Sequence, residues 1–159
     1  MLQEKQIAPD FTLPQFGRGE SHFYDAQGKQ AVLIFYKFSC PTCQFVMPFL
    51  QKIYDAYGDA FYFVAIAQDG PEKTEGFRKE YGVTIPILMD LQPYPISRSY
   101  QIQTVPSIVL VDADHTIRYS GAGFVKQELL NLADALAEKS GRPQIDVFGN
   151  AAVPEFKAG

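Results

Sequence analysis

Cysteine and tryptophan are scarce in this chain of 159 residues, which has two cysteines, Cys40 and Cys43, and no tryptophan. Two cysteines cannot form a disulfide framework. A chain of this length buries about two thirds of its unfolded surface, so its core needs no covalent support. A disulfide ring of about four residues would also contribute only roughly 2 kcal/mol to stability. The pair is therefore expected to serve chemistry rather than reinforcement.

Positive charge and long apolar runs are also scarce. Lysine and arginine total 14 against 18 aspartates and glutamates, a net charge of -4, which argues against a nucleic-acid or anionic-membrane partner. No stretch approaches the ~20 apolar residues that span a bilayer, so membrane insertion is not expected. Residues 1–6 are polar and contain no hydrophobic leader. The sequence as written predicts a cytoplasmic protein, or a periplasmic or otherwise extracytoplasmic one if a leader was removed.

Metal ligands and cofactor motifs are few. The two histidines, His22 and His115, stand isolated in polar stretches, whereas zinc needs four ligands. The sequence shows no phosphate loop, Ser-His-Asp arrangement or dinucleotide fingerprint. We therefore expect no metal and no cofactor other than a redox-active disulfide.

The apolar pattern predicts a single α/β domain over residues 1–140, followed by an extended or partly mobile tail at 141–159. A strand, a helix and a second strand follow one another through residues 31–67, and their short links require a parallel crossover. Strands are predicted at Ala31–Tyr36, Phe61–Ala67, Ile87–Met89, Ser107–Val111 and Thr116–Ser120, and helices at Pro41–Gly58, Glu72–Tyr81, Tyr94–Tyr100 and Val125–Lys139.

The position of the two cysteines predicts their roles. If a helix begins at Pro41, Cys40 is its N-cap and Cys43 its third residue. An ordinary thiol with a pKa of ~8.5 is only about 3% thiolate at pH 7, and the free amides and dipole of a helix start favour the anion. Cys40 is therefore predicted to attack. Cys43, one turn further, is predicted to be more buried, to keep a high pKa and to displace the partner from the mixed disulfide.

Four further features carry expectations of their own. Lys37 is a candidate for electrostatic support of Cys40, although a solvated lysine at a strand end is the simpler interpretation. Phe38 is the aromatic residue we expect to contact a partner. Asp69-Gly70-Pro71 is predicted to cap the following helix. Val105–Pro106 opens a later strand and fits either a trans edge residue or a cis bond.

The order of these motifs resembles the thioredoxin-like redoxins, specifically the TlpA-like thiol-disulfide oxidoreductases that share a superfamily with the AhpC/TSA peroxiredoxins. The resemblance runs from about Ala8 to Ala137. A CxxC pair followed downstream by Val-Pro is its most specific part. The matching residues are Ala8–Leu13, Ala31–Tyr36 before Cys40-Pro41-Thr42-Cys43, Pro48, Val64–Ile66 with Asp69, Tyr81–Val83, Pro86, Tyr100–Ile102, Val105–Ser107 and Val111–Asp112.

The resemblance implies a thioredoxin fold: a central mixed sheet of four to five strands flanked by helices, here with an N-terminal extension. It also implies a redox-active disulfide between Cys40 and Cys43 and a cis Pro106 placed against it. Thr104, Val105 and Pro106 would receive an extended partner segment. The implied partners are protein thiols or disulfides, together with an electron donor or acceptor.

Three positions depart from the family pattern. Ser39 stands where thioredoxins place tryptophan, and Ile34 stands where they bury an aspartate. Val46 replaces the glutamate that many TlpA-like reductases carry. No matched acid therefore remains to take the Cys43 proton, which would pass to water or to a group that the sequence does not reveal.

Three functions are compatible with these motifs. A protein-disulfide oxidoreductase is the leading prediction. A peroxiredoxin-like thiol peroxidase with Cys40 as its peroxidatic cysteine is the first alternative, although Lys37 stands where peroxiredoxins carry threonine or serine. A redox-inactive thioredoxin-fold binding module is the second alternative, and retention of both thiols in a chain with no others argues against it.

Overall fold

Strands and helices alternate along the chain as the apolar pattern predicts. The computed structural model describes residues 1–26 and 28–159. The predicted elements are confirmed, with ends shifted by one or two residues. The strands are β1 (Thr12–Pro14), β2 (Glu20–His22), β3 (Ala31–Tyr36), β4 (Tyr62–Ala67), β5 (Ile87–Met89), β6 (Ser107–Val111), β7 (Ile117–Ala122), β8 (Phe124–Val125) and β9 (Phe156–Lys157). The helices are α1 (Pro41–Tyr57), α2 (Pro71–Tyr81), α3 (Pro95–Ser99) and α4 (Lys126–Ser140).

A five-stranded mixed sheet forms the centre of the molecule, as predicted. Its strand order is β5-β4-β3-β6-β7. β3 pairs with β4 and β4 with β5 in parallel, whereas β6 runs antiparallel to both β3 and β7. The predicted parallel pairing across the first crossover is confirmed. The carboxyl ends of β3 and β4 therefore meet at one edge of the sheet.

Both faces of this sheet are covered, which explains why all six residues of β3 are buried. Side chains alternate along the strand, so Val32 and Ile34 belong to one core cluster, and Leu33 and Phe35 to another. α1, α2 and α4 cover the first face. The N-terminal extension covers the second, through residues such as Phe11.

Helix α1 begins at the carboxyl end of β3 for local reasons. Pro41 occupies the first helical position, where a missing N–H costs nothing, and Cys40 in extended conformation is the N-cap. The helix buries one apolar stripe against the sheet, made by Val46, Met47, Leu50, Ile53 and Tyr57. Complete burial of such side chains typically contributes about 1.5–3 kcal/mol each. The redox pair is thus attached to a firmly packed helix.

The segment 141–159 is extended along most of its length and contacts the domain at separate points. Val147 and Phe148 are buried, and the Phe148 ring lies 5.0 Å from that of Phe49 in α1, centroid to centroid. Further on, β9 pairs with β8. Within the described residues, no helix combines the length and the apolar character that a bilayer crossing requires.

Candidate redox centre

Cys40 lies at the start of α1 as predicted. Its sulfur accepts a hydrogen bond from the Cys43 amide at 3.1 Å, so one of the free amides of the first turn is directed at it. The same thiol donates to the carbonyl oxygen of Val105 at 3.3 Å. Both cysteines are free, and Cys40 is partly exposed. The sulfur therefore lies between the helix start and the loop before Pro106, within reach of solvent.

Cys43 is buried, with 0% of its surface exposed. Burial is the main cause that raises the pKa of its thiol, and the hydrogen bond with Cys40 and the nearby charge of Asp69 raise it further. The main chain of Lys37 acts in the opposite direction. The prediction of a more buried second thiol with a high pKa is confirmed.

The Val105–Pro106 peptide bond is cis, as the resemblance implies. Pro106 is buried, and its carbonyl accepts a hydrogen bond from the Gly123 amide at 2.8 Å. Thr104 and Val105 are half-buried at the wall of an open groove of about 480 Å³ that also includes Cys40. The structure thus brings together the thiol that is predicted to attack and the predicted partner loop.

Lys37 and Phe38 lie on the other side of the pair. Lys37 is exposed. Burial raises the pKa of Asp69, and the charges of Lys37 and Lys73 offset only part of that rise. Phe38 is half-buried, with the Lys73 ammonium 4.7 Å from its ring centroid. Contact of Phe38 with a partner and support of Cys40 by Lys37 stay predictions.

The segment Asp69-Gly70-Pro71 forms the start of α2 as predicted, with Gly70 as N-cap and Pro71 in the first turn, but the Asp69 side chain makes no capping hydrogen bond. The helix follows Gly70, and the Asp69 carboxylate instead accepts a hydrogen bond from the Phe38 amide at 2.8 Å. Its side chain is buried, which is the main cause that raises its pKa, while the Phe38 amide lowers it. Sequence reasoning missed this residue as part of the centre. The signal was its place directly after a buried parallel strand, at the edge where β3 also ends.

Tyr36 completes a buried cluster behind the pair. Among the described residues its hydroxyl has no hydrogen-bond partner, although the oxygen is buried. Burial raises the pKa of this phenol, and the charges of Asp69 and Cys43 raise it further. The Cys43 thiol, the Asp69 carboxyl and the Tyr36 phenol are therefore three buried titratable groups whose charges influence one another.

The two histidines lie apart from this centre. His22 Nε2 is 2.6 Å from Asp10 Oδ2, and the His115 ring stacks on that of Tyr24 with 3.6 Å between centroids. Within the described residues, no group of three or more histidine, cysteine or acidic side chains is placed to hold a metal ion.

A thiol pair at a helix start, facing a cis proline on a mixed five-stranded sheet, defines a thioredoxin-like redox protein. The family model of the AhpC/TSA family matches residues 5–120. The chain belongs to this family, as its resemblance predicts.

Two curated relatives agree with this assignment. The chain is 32% identical over 121 residues to the thioredoxin-like protein YneN of Bacillus subtilis, covering 74% of this chain and 70% of that protein. It is 27% identical over 123 residues to the thiol-disulfide oxidoreductase ResA of Geobacillus kaustophilus, covering 76% and 70%.

Solved structures confirm the predicted fold. A putative protein disulfide isomerase from Bacteroides thetaiotaomicron matches with a TM-score of 0.81 and 25% identity, over 89% of this chain and 92% of that one. A secreted disulfide oxidoreductase from Mycobacterium tuberculosis matches with a TM-score of 0.67 and 26% identity, over 79% and 95%. These matches support thiol-disulfide exchange over the peroxidase alternative.

Proposed function

We propose that this protein is a thiol-disulfide oxidoreductase that exchanges a Cys40–Cys43 disulfide or dithiol with a protein partner. One observation carries the proposal: the partly exposed Cys40 sulfur lies at the start of α1, 3.3 Å from the Val105 carbonyl, while Cys43 is buried behind it. This arrangement gives one accessible thiol and one protected thiol.

The reaction follows from this difference in exposure. The Cys40 thiolate attacks one sulfur of a partner disulfide, forms a mixed disulfide and releases the other partner sulfur as a thiolate. Cys43, after losing its proton, attacks the Cys40 sulfur and releases the second partner sulfur. Two electrons pass to the partner, whose two thiolates take up the two protons, and a Cys40–Cys43 disulfide remains. The reverse sequence oxidises a partner dithiol.

We assign the acceptance of the Cys43 proton to Asp69. Its buried carboxyl is close enough to Cys43 for its charge to raise the pKa of that thiol. Burial also raises the pKa of Asp69 itself, which makes it a stronger base than a solvated aspartate. This assignment supplies the proton acceptor that Ile34 and Val46 cannot provide.

The cysteine pair is the proposed redox group, and no further cofactor is needed for this exchange. Its electron donor or acceptor is a second thiol or disulfide protein. The direction of flow is set by the relative reduction potentials of the two couples, for which a difference of about 30 mV already corresponds to 1.4 kcal/mol.

An extracytoplasmic location is proposed, supported by the similarity to the secreted oxidoreductase of Mycobacterium tuberculosis. A membrane-impermeant maleimide applied to intact cells that produce the full gene product should then label Cys40. Labelling that requires cell lysis would contradict this location.

The function is tested by insulin reduction with dithiothreitol as the electron source, and by trapping. Cys43→Ser should accumulate a mixed disulfide with a protein substrate through Cys40, whereas Cys40→Ser should accumulate none. If the native protein neither reduces insulin nor oxidises a reduced test protein, and Cys43→Ser traps nothing, thiol-disulfide exchange is excluded. Consumption of hydrogen peroxide faster than by a free thiol would favour the peroxidase instead.

A further inference from the structure

Residues 155–159, which we call the strap, cross the molecule next to the redox centre. β9 lies antiparallel to β8, with Lys157 opposite Phe124. The Lys126 amide donates to the carbonyl of Glu155 at 2.9 Å. These main-chain contacts direct the strap from the outer surface toward the start of α1.

The end of the strap lies on the residues assigned to partner binding. The Thr42 hydroxyl, inside the CxxC turn, donates to the Ala158 carbonyl at 2.6 Å. A β-carbon placed on Gly159 would lie 2.5 Å from the Val105 carbonyl oxygen and 2.6 Å from Thr104 Oγ1. The main chain at Gly159 is therefore in direct contact with the loop that precedes the cis proline.

Gly123 allows the main chain of the strap to pass close to it. This residue has a φ of +75°, and a β-carbon there would lie 2.8 Å from the Lys157 carbonyl oxygen. Glycine alone combines that backbone conformation with so close an approach. The same Gly123 donates its amide to the Pro106 carbonyl, so one residue contacts both the strap and the partner loop.

The strap buries less of its surface than Val147 and Phe148, which anchor the same tail. Phe156 is 59% exposed, and Ala158 and Gly159 are exposed too. Val147 and Phe148, by contrast, are 1% and 8% exposed. Segments with few buried apolar contacts open at low free energy, so the strap can detach while the 147–148 anchor stays in place.

We propose that the strap selects partners, a role that rests on the proposed exchange function. It covers the edge of this loop at the Val105 carbonyl and the Thr104 hydroxyl, where an extended protein segment would pair with the main chain of the loop. It leaves the Cys40 sulfur accessible to small disulfides through the open groove. A protein partner then reacts with the fraction of molecules whose strap is open, which reduces its apparent affinity in proportion to that fraction.

The first test compares the 159-residue chain with a chain that ends at Pro154. Removal of the strap should accelerate insulin reduction by about five- to tenfold, because the partner edge becomes permanently open. Reduction of bis(2-hydroxyethyl) disulfide should change by less than about twofold, because a small molecule does not need that edge. An unchanged insulin rate overturns the proposal, and so does an equal acceleration of both substrates.

Two point variants test the same proposal in a chain of full length. Gly159→Val places a side chain against the Val105 carbonyl and should displace the strap, reproducing the gain with insulin. Ala158→Val adds similar bulk to an exposed neighbour and serves as the matched control, with the native rate expected. Native-like rates for both variants, with correct folding by circular dichroism, contradict the proposal.

Labelling of Cys40 tests whether the strap covers the site, whether or not the protein catalyses disulfide exchange. The rate with a polyethylene glycol maleimide, divided by the rate with N-ethylmaleimide, should rise when residues 155–159 are removed. This ratio depends on access and requires no turnover. A raised ratio without insulin reduction by either chain would overturn the exchange function and keep the strap as a cover, whereas an unchanged ratio overturns the strap itself.

Discussion

The open groove contains the Cys40 sulfur, and the buried core contains the Cys43 sulfur. These two regions differ in solvent exposure and in hydrogen bonding, although the two cysteines are only three positions apart in the sequence. Cys40 faces the groove, where the Cys43 amide and the Val105 carbonyl contact its thiol. Cys43 lies in the core with Tyr36 and Asp69 nearby, and burial raises the pKa of its thiol. Because both residues are cysteines, we expect the position that the helix gives each thiol to determine which one attacks first.

The largest expected effect is the difference in alkylation between the two regions. In the native reduced protein iodoacetamide should modify Cys40 about a thousandfold faster than Cys43, because Cys43 reacts only after a costly opening of the core. Mass spectrometry of peptides after timed quenching measures both rates. In guanidinium chloride the two alkylation rates should agree within a few-fold. Equal rates in the native state would show that the fold does not protect Cys43.

A cavity in the core on which α1 packs should weaken the region that protects Cys43. Leu50→Ala removes a side chain that is 0% exposed on the buried stripe of α1, and it should lower the free energy of unfolding by about 2–5 kcal/mol. Urea unfolding measures the loss, and alkylation of Cys43 should accelerate in parallel. Lys52→Ala, on the exposed side of the same helix, is the control and should change stability by less than about 0.5 kcal/mol.

Asp69→Asn tests how the buried charge of Asp69 affects the stability of the protein. Because burial raises the pKa of Asp69 in the folded state, its ionised form destabilises the protein at neutral pH, and the destabilisation disappears as pH falls below the ordinary value of 3.8. The variant keeps an acceptor for the Phe38 amide, so it should be more stable than the native protein at pH 7 and equal at pH 3.

The same variant should release the partner from the mixed disulfide about 10²-fold more slowly, the usual range for a positioned proton acceptor. Single-turnover kinetics at several pH values measures this step, and Asp59→Asn at an exposed site is the control. A purely structural role for Asp69 would leave the pH dependence of partner release unchanged.

The smallest effect is expected far from both sulfurs, at His22. The hydrogen bond to Asp10 is the main cause that raises the pKa of this exposed imidazole. Its stabilisation is complete below the unfolded pKa near 6.5 and is lost as pH rises through the higher folded value. Thermal unfolding of His22→Gln from pH 5 to 9 should show a slightly lower Tm at the acid end alone. A changed rate of disulfide exchange would link this surface pair to the redox centre.

Most of the framework was determined by the sequence. The continuous apolar run at Ala31–Tyr36 requires a strand covered on both faces, and Pro41 after Cys40 defines a helix start with the first thiol as its cap. The Val105–Pro106 pair predicted the cis loop through the family resemblance, because a local pattern alone does not distinguish cis from trans.

The surroundings of the two thiols depend on contacts between segments that are far apart in the sequence. Asp69 follows a strand and precedes a helix, so local rules predict a cap, but the parallel pairing of β3 and β4 places its carboxyl against the Phe38 amide instead. Residues 155–159 have no periodicity of their own. Their position beside Cys40 depends on pairing with β8, more than 30 residues earlier in the chain. Local sequence favours a local backbone conformation, whereas contacts between distant segments form only when folding brings those segments together.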